Sequence, residues 1–287
     1  MRSPLPARTN RTMALGPGEA NDDLAGARHG DSRAFERLVE PHLARLRALA
    51  YRMLGNRDDA ADVQQETLLR AFRQLPCFRG ESAFSTWLLH IATNLCLDML
   101  RARGRWLVEA QPMAKDDCSA GESSLHGELT ATLADPSFAF DVHEHIAFCF
   151  TCVARTLDAE TEVVLVLSEL FDVADRDAAV ILGMNESAYR HRLSVARARM
   201  QHAFEGLCAL VNKTGTCYQC KELRDLTPPP HRGPDVPSMG GPDDRWRRRL
   251  AIVKDADLDG GRSRALHDLL FRWIAAHGGA PHESARV

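Results

Sequence analysis

Residues Asp58 to Arg103 read DDAADVQQETLLRAFRQLPCFRGESAFSTWLLHIATNLCLDMLRAR, and this stretch decides the fold. Asp58 and Asp59 suit the positive end of a helix dipole. Behind them Ala61, Val63, Thr67, Leu68, Ala71 and Phe72 recur at helical spacing. The segment Pro76 to Gly80 breaks the run. A longer helix is then predicted from Ser82 to Arg103, carrying Trp87, Leu88, Ile91, Ala92, Leu95, Leu97, Met99 and Leu100. Upstream, Phe35, Leu38, Val39, Leu43, Leu46, Leu49, Ala50 and Leu54 repeat the same period from Asp31 until Gly55-Asn56 ends it. Residues 30–105 therefore predict one small helical bundle.

Outward from that bundle the pattern changes on both sides. Residues 1–29 are rich in Pro, Gly and Arg without a period and are expected to be a disordered lead-in. Residues 106–140 carry Glu109, Asp116, Asp117, Glu122, Glu128 and Asp135 against Lys115, which predicts a flexible acidic linker. A second helical domain is predicted over 141–212, with helices at 141–156, 159–171, 175–182 and 186–210. A cysteine-containing turn follows at 213–226. Pro228-Pro229-Pro230 and several glycines open a C-terminal extension, 227–287, expected to be partly disordered with one or two helices. The fold class is all-α, two small helical domains on a flexible joint.

Composition excludes several classes. The 287 residues are 45% hydrophobic and 6% aromatic, which suits small helical cores. A formal net charge of -3 confines any nucleic-acid binding to local basic stripes. No apolar run approaches the roughly 20 residues that cross a bilayer, and Met1 to Ala20 lacks a signal-peptide core. A cytoplasmic chain with no membrane contact is expected. No nucleophile elbow, metal-protease spacing or P-loop is present, so enzyme chemistry is not expected.

The sharpest local pattern lies between Asp175 and Met200. Two steeply crossed helices need a small residue where they touch and one tolerating positive φ in the turn; Ala179 and Gly183 stand there. Asn185 suits the N-cap of the next helix, and Glu186 its first turn. That helix then carries Arg190, His191, Arg192, Arg197 and Arg199. Such a helix can enter a major groove and hold phosphates along its flank. A helix pair with a solvated basic face would read the same way.

The long block first quoted resembles region 2 of bacterial sigma factors, in the extracytoplasmic-function group of the sigma-70 family. The resemblance rests on the Asp-Val-x-Gln-Glu-Thr core and the Phe78-Arg79-Gly80-Glu81 loop. It continues through Phe84-x-Thr86-Trp87-Leu88 and Ile91-Ala92-x-Asn94. The second domain then looks like region 4. The resemblance implies a factor that joins core RNA polymerase, recognises the −35 and −10 promoter elements, helps open the duplex and needs no cofactor. It implies a monomer when free and an anti-sigma factor as a further partner. Asp62, Gln65 and Glu66 fall on the polymerase-docking helix; Asp62 and Glu66 are four apart and share a face, which an ordinary solvated helix would also show. Phe78 and Arg79 fall on the loop that captures an extruded −10 base, although Phe78 also fits a core position. Trp87, His90, Asn94, Asp98, Arg101 and Arg103 fall on the promoter-facing helix. There Asn94 and Asp98 lie one turn apart, and Trp87 suits either core or base wedge. Glu186, Ser187, Ala188, Arg190, His191, Arg192 and Arg197 fall on the −35 helix. Capturing extruded bases offsets part of a melting cost of about 1–2 kcal/mol per base-pair step.

Eight cysteines in a reducing compartment point to metal or redox chemistry where they pair. His145, Cys149 and Cys152 share a helix face at i, i+4, i+7, and Cys217-x2-Cys220 lies beyond the basic helix. Together these five could hold zinc. Cys149 and Cys152 also read as small apolar residues among Ile146, Phe148, Phe150 and Val153. A stand-alone helix-turn-helix regulator and a metal or thiol sensor are the alternatives to a sigma factor. The block from Asp58 to Arg103 is what a simple repressor would not need.

Overall fold

Short polar residues, glycines and one proline set the helix ends. The computed structural model describes residues 17–107, 110–119, 123–208, 215, 217, 219–233, 235, 242–256 and 261–277. Its helices are α1 (Pro17–Arg28), α2 (Ser32–Val39), α3 (Leu43–Leu54), α4 (Arg57–Gln74) and α5 (Phe84–Arg103) in the leading part. Then come α6 (Ala110–Ser119), α7 (Ser124–Ala134), α8 (Val142–Ala154), α9 (Ala159–Leu165), α10 (Asp175–Ile181) and α11 (Glu186–Leu207). Finally there are α12 (Gln219–Leu226), α13 (Pro242–Asp255) and α14 (Arg264–His277). Among the described residues the only β pairing is two isolated bridges, Phe140 with Arg232 and Cys208 with Cys217, so the fold is all-α as the sequence predicts.

The run from Asp31 to Leu54 is split rather than continuous. Pro41 lacks an N–H, and a 3-10 turn at Glu40–His42 separates α2 from α3. Gly55 then closes α3 at φ 67°, a left-handed cap that only glycine adopts cheaply. Asn56 opens α4 by accepting the Asp59 N–H at 3.0 Å. In the leading part α3, α4 and α5 pack on one another around Leu46, Leu49, Met53, Val63, Leu88 and Ala92.

Three expectations differ from the structure. The first concerns the acidic linker: α6 and α7 occupy most of it, and Leu125, Leu129 and Leu133 are buried. Their four-residue spacing makes an apolar stripe that is covered by α14. Glu109 and Glu122 lie outside the described residues. The second concerns the C-terminal extension, whose two helices agree with the one or two expected and differ only in being packed into the core. Within it α13 packs on α8, and α14 packs on α6, α7 and α8, burying Leu266, His267, Leu269, Leu270, Phe271 and Ile274. The third is the lead-in, whose residues from Pro17 form α1; α1 packs on α2, with Asp23 bonded to Arg37 at 2.6 Å. Residues 1–16, like Tyr218 in the turn and the last ten residues of the extension, lie outside the described ones.

In consequence the buried side chains form one continuous cluster from Ala27 to Ile274. Arg52 shows how tightly the parts meet. This α3 residue is 7% exposed, and its guanidinium donates to Ala147 O of α8 at 3.4 Å and to Val253 O of α13. Burial pulls it down to about 10, which leaves it cationic at neutral pH.

Candidate nucleic-acid interface

The helix-turn-helix is built as its residues require. Gly183 sits at φ 63° in the turn between α10 and α11. Asn185 accepts the Ala188 N–H at 2.8 Å and starts α11. Tyr189 fills the junction at 0% exposure, its hydroxyl 2.9 Å from Ser168 Oγ and donating to Val164 O at 3.3 Å. A buried tyrosine is tolerated because its hydroxyl is satisfied. A one-turn π-helical segment, Val166–Leu170, carries Ser168 and Glu169 into place.

Of the side chains assigned to α11, Glu186, Ser187, Arg190, His191, Arg192 and Arg197 are exposed and Ala188 is half-buried. Arg190 leans on Glu186 at 3.3 Å. Arg197 is held by Glu169 at 2.5 Å and Arg199 by Asp158 at 2.8 Å, so these two arginines tie α11 to its own module. Among the described residues, Arg190, His191 and Arg192 are exposed basic side chains of α11 that are not tied to another helix, on successive positions that fan about 100° apart.

On α4, Asp62 and Gln65 are exposed, while Glu66 is half-exposed and accepts from Arg70 at 2.7 Å. The loop after α4 is less open than the base-capture reading requires. Phe78 is 9% exposed and packs on Trp87 at 4.9 Å and Phe84 at 5.9 Å between ring centroids. Arg28 of α1 lies over the Phe78 ring and donates to its carbonyl oxygen. The core placement of Phe78 and Trp87 is the one the contacts favour. Arg79 stands in solvent near Glu81, at 3.8 Å.

The face of α5 that carries His90 and Asn94 is covered. His90 Nδ1 donates to Ile181 O of α10 at 2.6 Å, which leaves Nε2 to accept from Asn94 Nδ2 at 3.1 Å. Asp98 is exposed and 3.6 Å from Arg101. Arg101 reaches Glu160 of α9 through two nitrogens, at 3.0 and 2.8 Å. Arg103 turns back onto Asp59 at 2.8 Å. The sequence reading missed Ile181 and Glu160, the covering partners, because nothing local marks them.

Of the proposed zinc set, Cys149, Cys217 and Cys220 lie near one another beside Cys208, while His145 is turned to α14. His145 is 1% exposed, 3.3 Å from His267 Nε2, and stacked on Phe148 at 5.4 Å. Burial pushes it down to about 4, so it is neutral. Cys149 and Cys220 are buried and their thiols are pushed up by burial, with Cys208 and Cys217 adding to the rise. Arg249 reaches into this thiol cluster, its guanidinium 3.4 Å from Cys208 Sγ. Among the described residues no three His, Cys, Asp or Glu are placed to hold a metal ion. The histidine is engaged by α14 and Arg249 sits beside the thiols, so zinc has no support among the described residues. No helix among the described residues is long and apolar enough to cross a membrane.

Comparison with known proteins agrees with the leading block. The family model for Sigma-70 region 2 matches residues 38–105. The ECF RNA polymerase sigma factor SigG of Mycobacterium tuberculosis is 32% identical over 186 residues, covering 62% of this chain and 50% of that protein. The match thus spans half the length of that relative. The RNA polymerase sigma-H factor of Pseudomonas aeruginosa is 31% identical over 182 residues, 62% of this chain and 90% of that one. Among solved structures, the sigma factor RpoE bound to the anti-sigma factor NepR from Bartonella quintana aligns over 60% of this chain and 96% of its own at 24% identity, with a TM-score of 0.41. CnrH in complex with the cytosolic domain of CnrY aligns over 65% and 97% at 23% identity, with a TM-score of 0.44.

Proposed function

Because this chain belongs to the extracytoplasmic-function RNA polymerase sigma factors, we propose that it joins core polymerase and carries promoter specificity for transcription initiation, with no enzyme chemistry or required cofactor of its own. In this reading residues 30–105 act as region 2 and residues 141–212 as region 4. The observation that carries it is the capped α10–α11 pair, which presents Arg190, His191 and Arg192 outward on one helix. Exposed basic side chains fanned around the start of a helix suit phosphates and base edges of a major groove, here the −35 element. Asp62, Gln65 and Glu66 on α4 offer an acidic face to a basic surface of polymerase. The side chains His90, Asn94, Asp98, Arg101 and Arg103 on α5, with Arg79 in the loop before it, address the −10 strand once α5 is uncovered.

The experiment is reconstitution with core polymerase and run-off transcription on a library of duplex start sites. A discrete transcript that depends on the chain supports the reading. Absence of any such transcript, together with tight binding of duplex DNA by the chain alone, overturns it in favour of a stand-alone helix-turn-helix regulator. The paired variant Asp62→Lys, Glu66→Lys should abolish co-elution with core polymerase while its circular dichroism stays native. Normal holoenzyme formation by that variant would remove α4 from the docking surface.

A further inference from the structure

The side of α5 that the proposed function needs is covered by the second module, and the helices that follow that module touch both modules. His90 of α5 is bonded to Ile181 O at the end of α10, and Arg101 to Glu160 at the start of α9. Behind α5 the chain is stitched as well: the Trp106 N–H donates to Arg155 O at 2.8 Å, and the Arg155 guanidinium donates to Gly104 O at 3.2 Å. None of these bonds includes α13 or α14. Those helices act from the other side, where they touch both modules at once.

Phe271 of α14 is the wedge. It is 3% exposed, and its ring centroid lies 4.4 Å from Phe148 of α8, 5.6 Å from Trp106 and 6.2 Å from Tyr51 of α3. It also fills the notch above Gly55, where a Cβ would come within 3.2 Å of the ring. Beside it Asp268 accepts from Arg57 Nε at 3.1 Å, which fastens α14 to the first turn of α4. On the far side His267 meets His145 of α8. The helix start is anchored too, since the Ser263 N–H donates to Glu144 at 2.9 Å and the Asp141 N–H donates to Ser263 Oγ at 2.6 Å. Meanwhile Arg52 of α3 donates to the α13 backbone, and Lys254 of α13 pairs with Asp172 at 2.5 Å, next to the helix-turn-helix.

We propose that α13 and α14 form a clasp that keeps the second module seated on the promoter-facing side of α5, so that the free chain is closed and α5 meets DNA only after the clasp releases. The inference rests on α5 being that side of a sigma factor. The clasp adds to the direct packing of α5 on α9 and α10 a second tie, which joins α3 and α4 to α8 through the side chains of Phe271 and Asp268. Two ties between the same modules are coupled, so loosening the one through α14 weakens the other. A clasp also accounts for a buried aromatic ring and a buried histidine, Phe271 and His267, in a segment that the promoter-binding modules do not require.

The test reads two histidines in the full chain. Diethyl pyrocarbonate modification is followed by mass spectrometry, with the exposed His191 as internal reference. In the wild type, His90 and His267 should both react at least tenfold more slowly than His191. In Phe271→Ala, His267 should approach the reference rate, and His90 should rise about tenfold with it, although the substitution lies on a different element. Asp268→Lys places a cation against Arg57 without opening a cavity, and it should move both histidines in the same direction to a smaller degree; far-UV circular dichroism checks that each variant keeps its helices. Protection of His90 that persists while His267 becomes reactive overturns the clasp. So does a His267 that stays protected in both variants, or a wild-type His90 as reactive as His191. Run-off transcription is scored separately: coupled reactivity without any transcript contradicts the sigma-factor reading and leaves the clasp standing, and transcription with uncoupled histidines does the reverse.

Discussion

Two helices in this molecule carry the residues expected to meet a promoter, and they are presented in opposite ways. On α11, Arg190, His191 and Arg192 project into solvent from a helix with a capped start. On α5, His90 and Asn94 are half-buried and direct their hydrogen bonds to each other and to Ile181 O. The difference teaches that one basic surface stands open in the free chain, while the other is covered. A double helix is always available to an exposed basic helix, whereas unpaired −10 bases exist only after melting. A cover on the single-strand surface therefore costs nothing until polymerase and duplex are in place.

The largest expected effect comes from removing the wedge that joins the modules. Phe271→Ala should lower unfolding free energy by about 3–5 kcal/mol in a denaturant titration, the usual range for emptying a buried aromatic site. A loss under about 1 kcal/mol would mean that α14 is not integral to the core, and the contrast between the two faces would need another cause.

Next, the open face should respond to charge and the covered one should not in the free chain. Arg190→Ala combined with Arg192→Ala should weaken holoenzyme binding to the −35 element at least tenfold and reduce the salt slope by about one for each phosphate left without its arginine. In the free chain, the arginine pair should lower whatever weak duplex affinity is measured, and Asn94→Ala should leave it unchanged. Equal losses from both would erase the distinction.

Stability should also change with pH through two opposing contributions whose windows overlap. Burial pushes His145 down to about 4 and His267 well below its ordinary value. The folded state keeps both neutral, so their contribution is present above about pH 6.5 and is lost as pH falls through the folded values. Glu162 is 0% exposed, with neither carboxyl oxygen hydrogen-bonded, and burial pushes it up to about 8 despite Arg155 at 3.6 Å. Its contribution is present below its ordinary value and is lost as pH rises toward 8. Glu162→Gln should therefore gain on the wild type progressively from pH 5 to 8 in thermal melts. A pH-independent difference would contradict that assignment.

The smallest effect sharpens the open face. Asn185→Ala removes the cap of α11 and should cost about 1 kcal/mol. Promoter binding should fall only as far as the helix start frays, so the salt slope should hold.

Much of this was legible in the chain itself. Glycine at 55 and 183, asparagine at 185 and the 3.6-residue period place most helices of both modules within a few residues. The outward arginines of α11 could be read because each helix face is a local property. The acidic stretch after residue 106 could not: Leu125, Leu129 and Leu133 make a stripe whose partner, α14, lies more than a hundred residues away. His145 suggested a metal ligand by spacing, but its partner is His267, 122 residues on. Phe78 and Trp87 read as base contacts or core, and only the packed trio with Phe84 favours the second. Long-range pairing is where a single sequence is weakest, since periodicity names a buried face without naming what buries it.

The most direct measurement places the photo-crosslinker p-benzoylphenylalanine at Asn94 on α5 and, in a second protein, at Arg192 on α11. Each is irradiated with promoter duplex, with and without core polymerase. The account predicts that Arg192 crosslinks to the −35 duplex in the holoenzyme. Asn94 should crosslink to the melted −10 strand only in the holoenzyme open complex, never in the free chain. Crosslinks from Asn94 to DNA without polymerase, or none from Asn94 in an open complex that transcribes, would contradict it.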